Sequence, residues 1–351
     1  MGTPQEKRFH GRTRAGIGDV AALAGVAQGT VSNVLNHPDR VSPATRDKVE
    51  RAMAMLNYVP NQIARSLAVG VSSSVGLVLS DLSNSLFIDI ARGAETAVAA
   101  SGGSLLLANT NSELEREQRC LQMFAQSRIT GVMITLNDAS HYAAIAKVAP
   151  HTTPVVMLNY RADTNHFCSV SVDNELGGYL AARHLIGIGR RRLAFVGGPD
   201  ELTPVHDREL GFWRAVKEAD VAAEVLRPKS VNRADGWHIG VGLADRSPGD
   251  RPDAVFAASD LLAAGILQAL ASRAVKVPED VAIVGYDNNQ AAWDSPVPIT
   301  TIAQPGEEMG RLGAEMVAEE VRAENGTAHH AHRAQVLQPQ VVARESTTRS
   351  H

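Results

Sequence analysis

From Ser74 onward, short apolar runs alternate with longer amphipathic stretches, and this alternation restricts the fold more than any other feature of the chain. The runs VGLVLS, SLLLA, GVMIT, VVMLN, LAFVGG, AVFAAS and VAIVGY are of strand length and apolar without a break in parity, as expected of strands covered on both faces. Helices are expected between them at 86–101, 113–127, 174–187, 207–219, 260–273 and 306–323. Strands of this kind separated by helices form parallel sheets with a helical layer on either side. The series is interrupted near residue 160 and resumes after 165, which predicts two similar α/β subdomains. In open sheets of this type, ligands sit beyond the carboxyl ends of the strands.

Polar residues collect at those ends. Asp81, Asn84 and Phe87 follow the first run, Asn159 and Tyr160 follow VVML, and Arg208 is expected to open a helix after a long loop. Ser259 and Asp260 follow AVFAA, Asp287 follows VAIVGY, and Gln304 follows TTIA. If the fold is right they converge on one cleft, with Asp260 read as a helix cap rather than a ligand. An arginine fork, a carboxylate and an amide around an aromatic ring suit a small polyhydroxylated molecule, whose hydroxyls bridge the charged groups while the ring packs on an apolar face.

The first seventy residues follow another pattern. Residues 17–36, IGDVAALAGVAQGTVSNVLN, contain two short amphipathic stretches hinged on Gly25. Val20, Leu23 and Ala24 make one apolar stripe, and Val31, Val34 and Leu35 the other. Facing stripes, a small Ala24 and a glycine turn that can take positive φ predict a helix-turn-helix. The outer face of its second helix is then Gln28, Gly29, Thr30, Ser32, Asn33 and Asn36, uncharged hydrogen-bonding positions suited to base edges and phosphates. Ser42 and Pro43 start a third helix, with Val49, Ala52, Met53 and Leu56 on its inner face. After Pro60, Asn61 can cap a two-turn helix ending at Gly70, too short to persist alone in water.

Taken in order, DVAALAGV, TVSNVLN, RVSPATRDKVERAM, NYVPNQIARSL, SVGLVLSDLSN, VGYDN, TTIAQP and VVARESTTR resemble the lactose-repressor (LacI/GalR) family of bacterial transcription regulators over nearly the whole chain. The resemblance implies an N-terminal all-α helix-turn-helix DNA-binding domain with a hinge helix, followed by an α/β two-lobed, periplasmic-binding-protein-like core. The corresponding boundaries are a basic arm at 1–16, the DNA-binding domain at 17–60, the hinge helix and linker at 61–70, and the core at 71–347. Within the core, one subdomain is expected at about 71–160 and 290–322 and the other at about 163–288 and 325–347. Gln28, Gly29 and Asn33 sit where the family reads bases; Thr30, Ser32, Asn36, Ser42, Thr45, Tyr58 and Asn61 sit where it grips the backbone. Leu67, with Ala64 beside it, sits where the family wedges a leucine into the minor groove. Arg208, Asp287 and Gln304 match effector-binding positions, and Asn84 and Phe87 a loop that lines the effector site.

Four departures from the family pattern matter. Ala27 stands where the family usually has Ser or Thr, so α-helical residues after it lack a side-chain cap worth about 1 kcal/mol. Asn33 stands where Arg is frequent; Asn pairs bidentately with adenine and Arg with guanine, which predicts an A·T preference. Asn159 and Tyr160 replace an aspartate and an arginine common among sugar-binding members, leaving a nucleoside, an amino-sugar or another small metabolite open beside a sugar. The resemblance further implies a homodimer on a pseudo-palindromic double-stranded operator, with effector binding altering lobe closure and the hinge helices, and repression as the usual outcome. The chain stops soon after RESTT, with no heptad tail of the kind that makes some members tetramers.

Composition agrees. Of 351 residues, 44% are apolar and 21% charged, and no apolar run has membrane-spanning length. The net charge of −4 is polarised: residues 1–70 carry nine Lys/Arg against five Asp/Glu, giving +4 and leaving −8 for the rest, so the basic end supplies phosphate attraction. The N-terminus lacks an apolar signal core, and the only two cysteines, Cys120 and Cys168, fit a reducing compartment; a cytoplasmic location is expected. GIGRRRLAFVGG lacks the order of a dinucleotide site, AHHAHR near 328–333 fits no defined metal spacing, and no catalytic motif is present. The expectation is a regulator with no cofactor, no metal and no enzymatic activity, rather than a periplasmic sugar-binding protein or an α/β enzyme.

Overall fold

In the computed structural model the chain divides into two units, residues 1–72 and 73–351, of which residues 15–58, 74–150, 153–324, 326 and 330–348 are described. The first unit holds helices α1 (Ile17–Ala24), α2 (Gln28–Asn36) and α3 (Pro43–Met55). Gly25 ends α1 in the left-handed region at φ 66°, and its N–H returns to the Ala21 and Ala22 carbonyls, the turn that a residue without Cβ takes at no steric cost. α2 begins after Ala27 with no side-chain cap. α3 begins where Ser42 Oγ accepts from Thr45 N, with Pro43 in its first turn.

Val20, Val31 and Val49 are fully buried and, with Ala21, Val34 and Ala52, form the centre of this unit. The α1 stripe differs from the expected one. Leu23 is 47% exposed, and the inward face is Ile17, Val20, Ala21 and Ala24, the full i, i+3, i+4, i+7 set. The small Ala21 and Ala24 bring the helices together, which turns Leu23 outward.

The second unit contains two six-stranded sheets. The first sheet comprises β1 (Ser74–Leu79), β2 (Ser104–Asn109), β3 (Gly131–Thr135), β4 (Val155–Leu158), β5 (Cys168–Val172) and β11 (Ala334–Leu337) in the order β11-β5-β4-β3-β1-β2, all parallel. The second comprises β6 (Arg192–Val196), β7 (Ala222–Leu226), β8 (Ala254–Ala257), β9 (Ala282–Asp287), β10 (Thr300–Ala303) and β12 (Gln340–Val342) in the order β12-β10-β9-β8-β6-β7, with β12 alone antiparallel. Helices α4 (Ser85–Ala100), α5 (Leu114–Gln126), α6 (Ala139–Val148) and α12 (Gly306–Glu324) accompany the first sheet; α7 (Asn174–Gly187), α8 (Thr203–Ala219), α9 (Arg233–Ala244), α10 (Asp260–Ser272) and the short α11 (Gln290–Trp293) accompany the second.

Burial on both faces explains the continuous apolar runs of the inner strands; SLLLA in β2 departs from that expectation, because β2 is the edge strand and leaves Leu106 and Leu107 exposed. In β1, Leu77 and Leu79 face one cluster with Ile90, Leu158 and Met309, while Val78 faces another with Leu121, Phe124 and Ile134. The second lobe centres on Phe195, Phe212 and Phe256, whose ring centroids lie 5.1–6.4 Å apart.

The chain passes between the lobes in places other than those the strand breaks indicated. β5 stays in the first sheet, paired with β4, so the first crossing follows residue 172 rather than 160. β10 stays in the second sheet beside β9, so the return falls near 304 rather than 290, and β11 belongs to the first lobe. The reason is composition: CSVSV in β5 and TTIA in β10 carry hydroxyl residues, yet Ser169, Ser171, Thr300 and Thr301 are all buried. Their hydroxyls are satisfied internally, as where Ser169 Oγ accepts from Ala162 N at 3.1 Å. α9 was also absent from the periodicity, because it packs through glycine: a Cβ on Gly236 would lie 2.3 Å from the Leu262 carbonyl oxygen of α10.

Candidate functional site

The outer surface of α2 carries Gln28, Gly29 and Asn33 exposed and Thr30 and Ser32 half-buried. The Gln28 side chain lies along α1, 2.9 Å from where a Gly18 Cβ would stand. A Cβ on Gly29 would meet nothing within 4 Å, so the backbone there is open to close approach. Ser42 Oγ and Thr45 Oγ1 are 2.9 Å apart at the start of α3. Tyr58 is half-buried against the core of the unit. The Asn36 side chain, Asn61, Ala64, Leu67 and the arm at 1–14 lie outside the described residues.

In the second unit a cavity of about 370 Å³ lies between the two lobes. Asn84, Phe87 and Asn159 line it from the first lobe, and Arg208, Ser259 and Asp287 from the second, with Gln304 at the crossing and Asp81 beside Asn84. The lobes meet at both edges of it: Gln290 N donates to Ser85 Oγ at 2.9 Å, and Thr203 N donates to the Asn137 carbonyl at 2.9 Å.

Asp287 is the centre of the polar network. Its Oδ1 accepts from Gln304 Nε2 at 2.7 Å and its Oδ2 from Asn84 Nδ2 at 2.8 Å, while an Arg208 amine stands 3.9 Å from Oδ1. The residue is held at φ 105° at the end of β9, an uncommon conformation for an L-residue that places its carboxylate toward the other lobe. Burial raises the Asp287 carboxyl above the usual carboxylate range, against the lowering effect of Arg208, Asn84 and Gln304. Arg208 lies in the second turn of α8 rather than opening it, because the helix starts at Thr203 with Pro204 in its first turn. Its Nε donates to Asn174 Oδ1 at 2.9 Å and another amine to the Ala258 carbonyl at 2.6 Å, and the guanidinium lies 3.6 Å over the Tyr286 ring.

Asn84 caps α4 through Leu86 N and also accepts from Asn289 Nδ2 at 3.0 Å. Asn289 is set by Asp260, whose Oδ2 accepts from its N–H at 2.8 Å and whose Oδ1 accepts from Thr301 Oγ1 at 2.7 Å. Asp260 is thus fully buried behind the cavity, and its carboxyl is raised well above the usual range by burial and by neighbouring Asp287. Ser259 is the cap of α10, accepting from Leu262 N. Tyr160 is separate from the cavity lining: it stacks on Tyr142, centroids 4.9 Å apart, where its ring packs with the first lobe's second cluster.

The sequence reading did not include Asn137, Asn111, Ser112 or Asn232, which also line the cavity. Asn137 Oδ1 accepts from Asn159 Nδ2 at 2.6 Å; Asn232 caps α9, which, like α6, is not among the expected helices. A polar residue two positions past GVMIT, after Leu136, was the available signal for Asn137. Two carbonyl oxygens, Asn159 Oδ1 and Gln304 Oε1, are buried without a hydrogen-bond partner. Among the described lining residues the charged ones are Asp81, Arg208 and Asp287. The apolar side of the lining is formed by Phe87 together with Leu86, Leu202, Val205 and Val231.

Residues 16–61 match the family described as bacterial regulatory proteins, lacI family, and residues 182–347 match the periplasmic binding protein-like domain. The HTH-type transcriptional repressor PurR of Aliivibrio salmonicida is 31% identical over 340 residues, covering 95% of this chain and 98% of the relative. Its Vibrio vulnificus counterpart is 31% identical over 335 residues with the same coverage. Among solved structures, a transcriptional regulator CelR–cellobiose complex is 32% identical with TM-score 0.69, covering 95% of this chain and all of the other. The lac repressor dimer bound to operator and the anti-inducer ONPF is 25% identical with TM-score 0.80, over 95% of this chain and 99% of that one. No described helix is long and apolar enough to cross a membrane. The helix-turn-helix unit, the two-lobed core and these likenesses make the chain a member of the LacI family of bacterial regulatory proteins.

Proposed function

We propose that the protein is a homodimeric repressor that reads a pseudo-palindromic operator and is controlled by a small, polar, sugar-like effector held between the lobes of its core. In this reading Gln28, Gly29 and Asn33 face base edges, while Thr30, Ser32, Asn36, Ser42, Thr45 and Tyr58 contact the backbone. Effector recognition falls to Arg208, Asp287, Gln304, Asn84 and Asn159, with Phe87 against the apolar side and buried Ser259 in the lining.

The observation that carries the effector reading is the buried network on Asp287 with unpartnered Asn159 Oδ1 and Gln304 Oε1. A ligand rich in hydroxyl or amino hydrogens satisfies both carbonyls, and a buried acceptor left unpaired is costly. The cellobiose-bound regulator supports small-molecule control of such a core, and the PurR relatives support repression. The lining chemistry favours binding over turnover, and a protein of this function works in the cytoplasm with the chromosome. Effector occupancy and operator affinity are then linked by one coupling free energy, reciprocal between the sites.

The test combines a calorimetric screen of sugars, amino-sugars and nucleosides with mobility shifts on selected operator DNA. The reading predicts a ligand that changes operator affinity in the wild type and no longer binds Arg208→Ala. A ligand whose binding ignores that substitution refutes the pocket, and absence of sequence-specific DNA binding refutes the regulator.

A further inference from the structure

The first lobe carries a second cluster of chemistry-bearing side chains, far from the cleft in composition and kind. Cys168 begins β5, Glu320 lies in the penultimate turn of α12, and His330 and His332 lie just before β11. One ligand atom from each of the four falls within 4.8 Å of the others. Cys168 Sγ is 3.3 Å from His330 Nε2, which is 3.4 Å from Glu320 Oε1; His332 Nδ1 is 3.5 Å from the same oxygen.

Three of the six separations match the edges of a tetrahedron, and the others lie within 4.8 Å. With Zn–N and Zn–O bonds of about 2.0–2.1 Å and Zn–S of about 2.3 Å, neighbouring ligand atoms stand roughly 3.3–3.6 Å apart. Cys168 is fully buried and Glu320 is 7% exposed. Glu320 Oε1 and His332 Nδ1 are both buried without a well-formed hydrogen bond. Arg333 N points at Cys168 Sγ at 3.4 Å, the backbone contact that steadies a thiolate ligand.

We infer that Cys168, Glu320, His330 and His332 form a closed, four-ligand site for a borderline transition ion, zinc in first place, which clips the end of α12 to the β5–β11 edge of the first sheet. One soft thiolate, two imidazoles and one carboxylate select zinc over calcium or magnesium, which take oxygen ligands. With all four positions filled by protein the site is structural rather than catalytic. AHHAHR, whose own spacing fits no defined metal site, supplies an H-x-H pair that is half of this one, and the other half arrives from 162 and 10 residues away in sequence.

The experiment uses tag-free, full-length protein produced with zinc in the medium and dialysed into metal-free buffer. Elemental analysis is expected to find about one zinc per chain in the wild type and less than about a tenth of that in Cys168→Ser and His332→Ala. Both variants are checked by circular dichroism and operator binding, which do not depend on the metal being present in the reading of the cleft. Cobalt added to zinc-stripped wild type is expected to give ligand-field bands of tetrahedral intensity and a thiolate charge-transfer band, the latter absent in Cys168→Ser. Zinc that washes out of the wild type, zinc retained equally by both variants, or a weak octahedral cobalt spectrum overturns the site. Should Cys168→Ser fail to fold, the wild-type cobalt spectrum decides alone.

Discussion

The two functional regions of this protein are built in opposite ways. The surface proposed to read base edges lies on one helix, nine residues long, whose outward side chains are close together in sequence over a core of six buried residues. The proposed effector cleft gathers residues from 81 to 304, about half of them buried, over the large clusters of both lobes. A short exposed motif owes its specificity to side-chain identity alone, so single substitutions there change what is recognised. A buried network owes it to mutual hydrogen bonding, so single substitutions there change whether anything is recognised and strain the fold as well.

That contrast can be broken experimentally. Arg208→Ala is expected to weaken effector binding by about 100-fold or more, since it leaves Asp287 without its cation and Asn174 Oδ1 without its donor. Calorimetry measures this, and operator affinity without effector is expected to stay within about threefold of wild type if the regions are independent in that state. Val31→Ala, at a fully buried position, is expected to cost about 2 kcal/mol. Because its unit has so small a core, operator binding falls while calorimetric effector binding does not change; equal loss of both would erase the distinction.

Smaller effects sharpen it. Asn33→Arg is expected to shift the preferred half-site base from A·T towards G·C by about tenfold in relative affinity, read by selection from a randomised operator library; an unchanged preference removes Asn33 from base contact. Ala27→Ser supplies the missing cap of α2 and is expected to add about 1 kcal/mol to that unit, seen as later loss of helical signal in urea. In the core, Asp260 titrates well above its unfolded value, so the folded state binds the proton more readily. Its contribution therefore favours the fold at acidic pH and is lost as pH rises through the folded pKa. Asp260→Asn should flatten that part of the stability curve, and thermal melts from acid to neutral pH would expose an opposite slope.

The parts legible in the sequence share a physical origin. Strands buried on both faces must be apolar throughout, so β1, β3 and β8 announced themselves, whereas β5 and β10 hid their register behind buried serines and threonines whose hydroxyls the fold satisfies. Helices with a broad apolar stripe were visible, and α9, which packs on Gly236, was not. At the cleft, residues directly following clear strands were foreseen, including Asp287 and Gln304. Tyr160 followed a clear strand too but turned to stack on Tyr142, because the direction taken by a residue after a strand depends on a neighbour that the local sequence does not contain.

The amino-acid sequence alone determined the class of this protein, its helix-turn-helix, the under-capped start of the second of those helices and the alternating α/β core, since all of these follow from spacing and side-chain type within about twenty residues. Only the tertiary structure decided where the chain crosses between lobes, that Arg208 lies over Tyr286 facing Asp287, and that Cys168 meets Glu320, His330 and His332. Those depend on which distant strands pair, and strand pairing is a property of the whole sheet rather than of any segment in it.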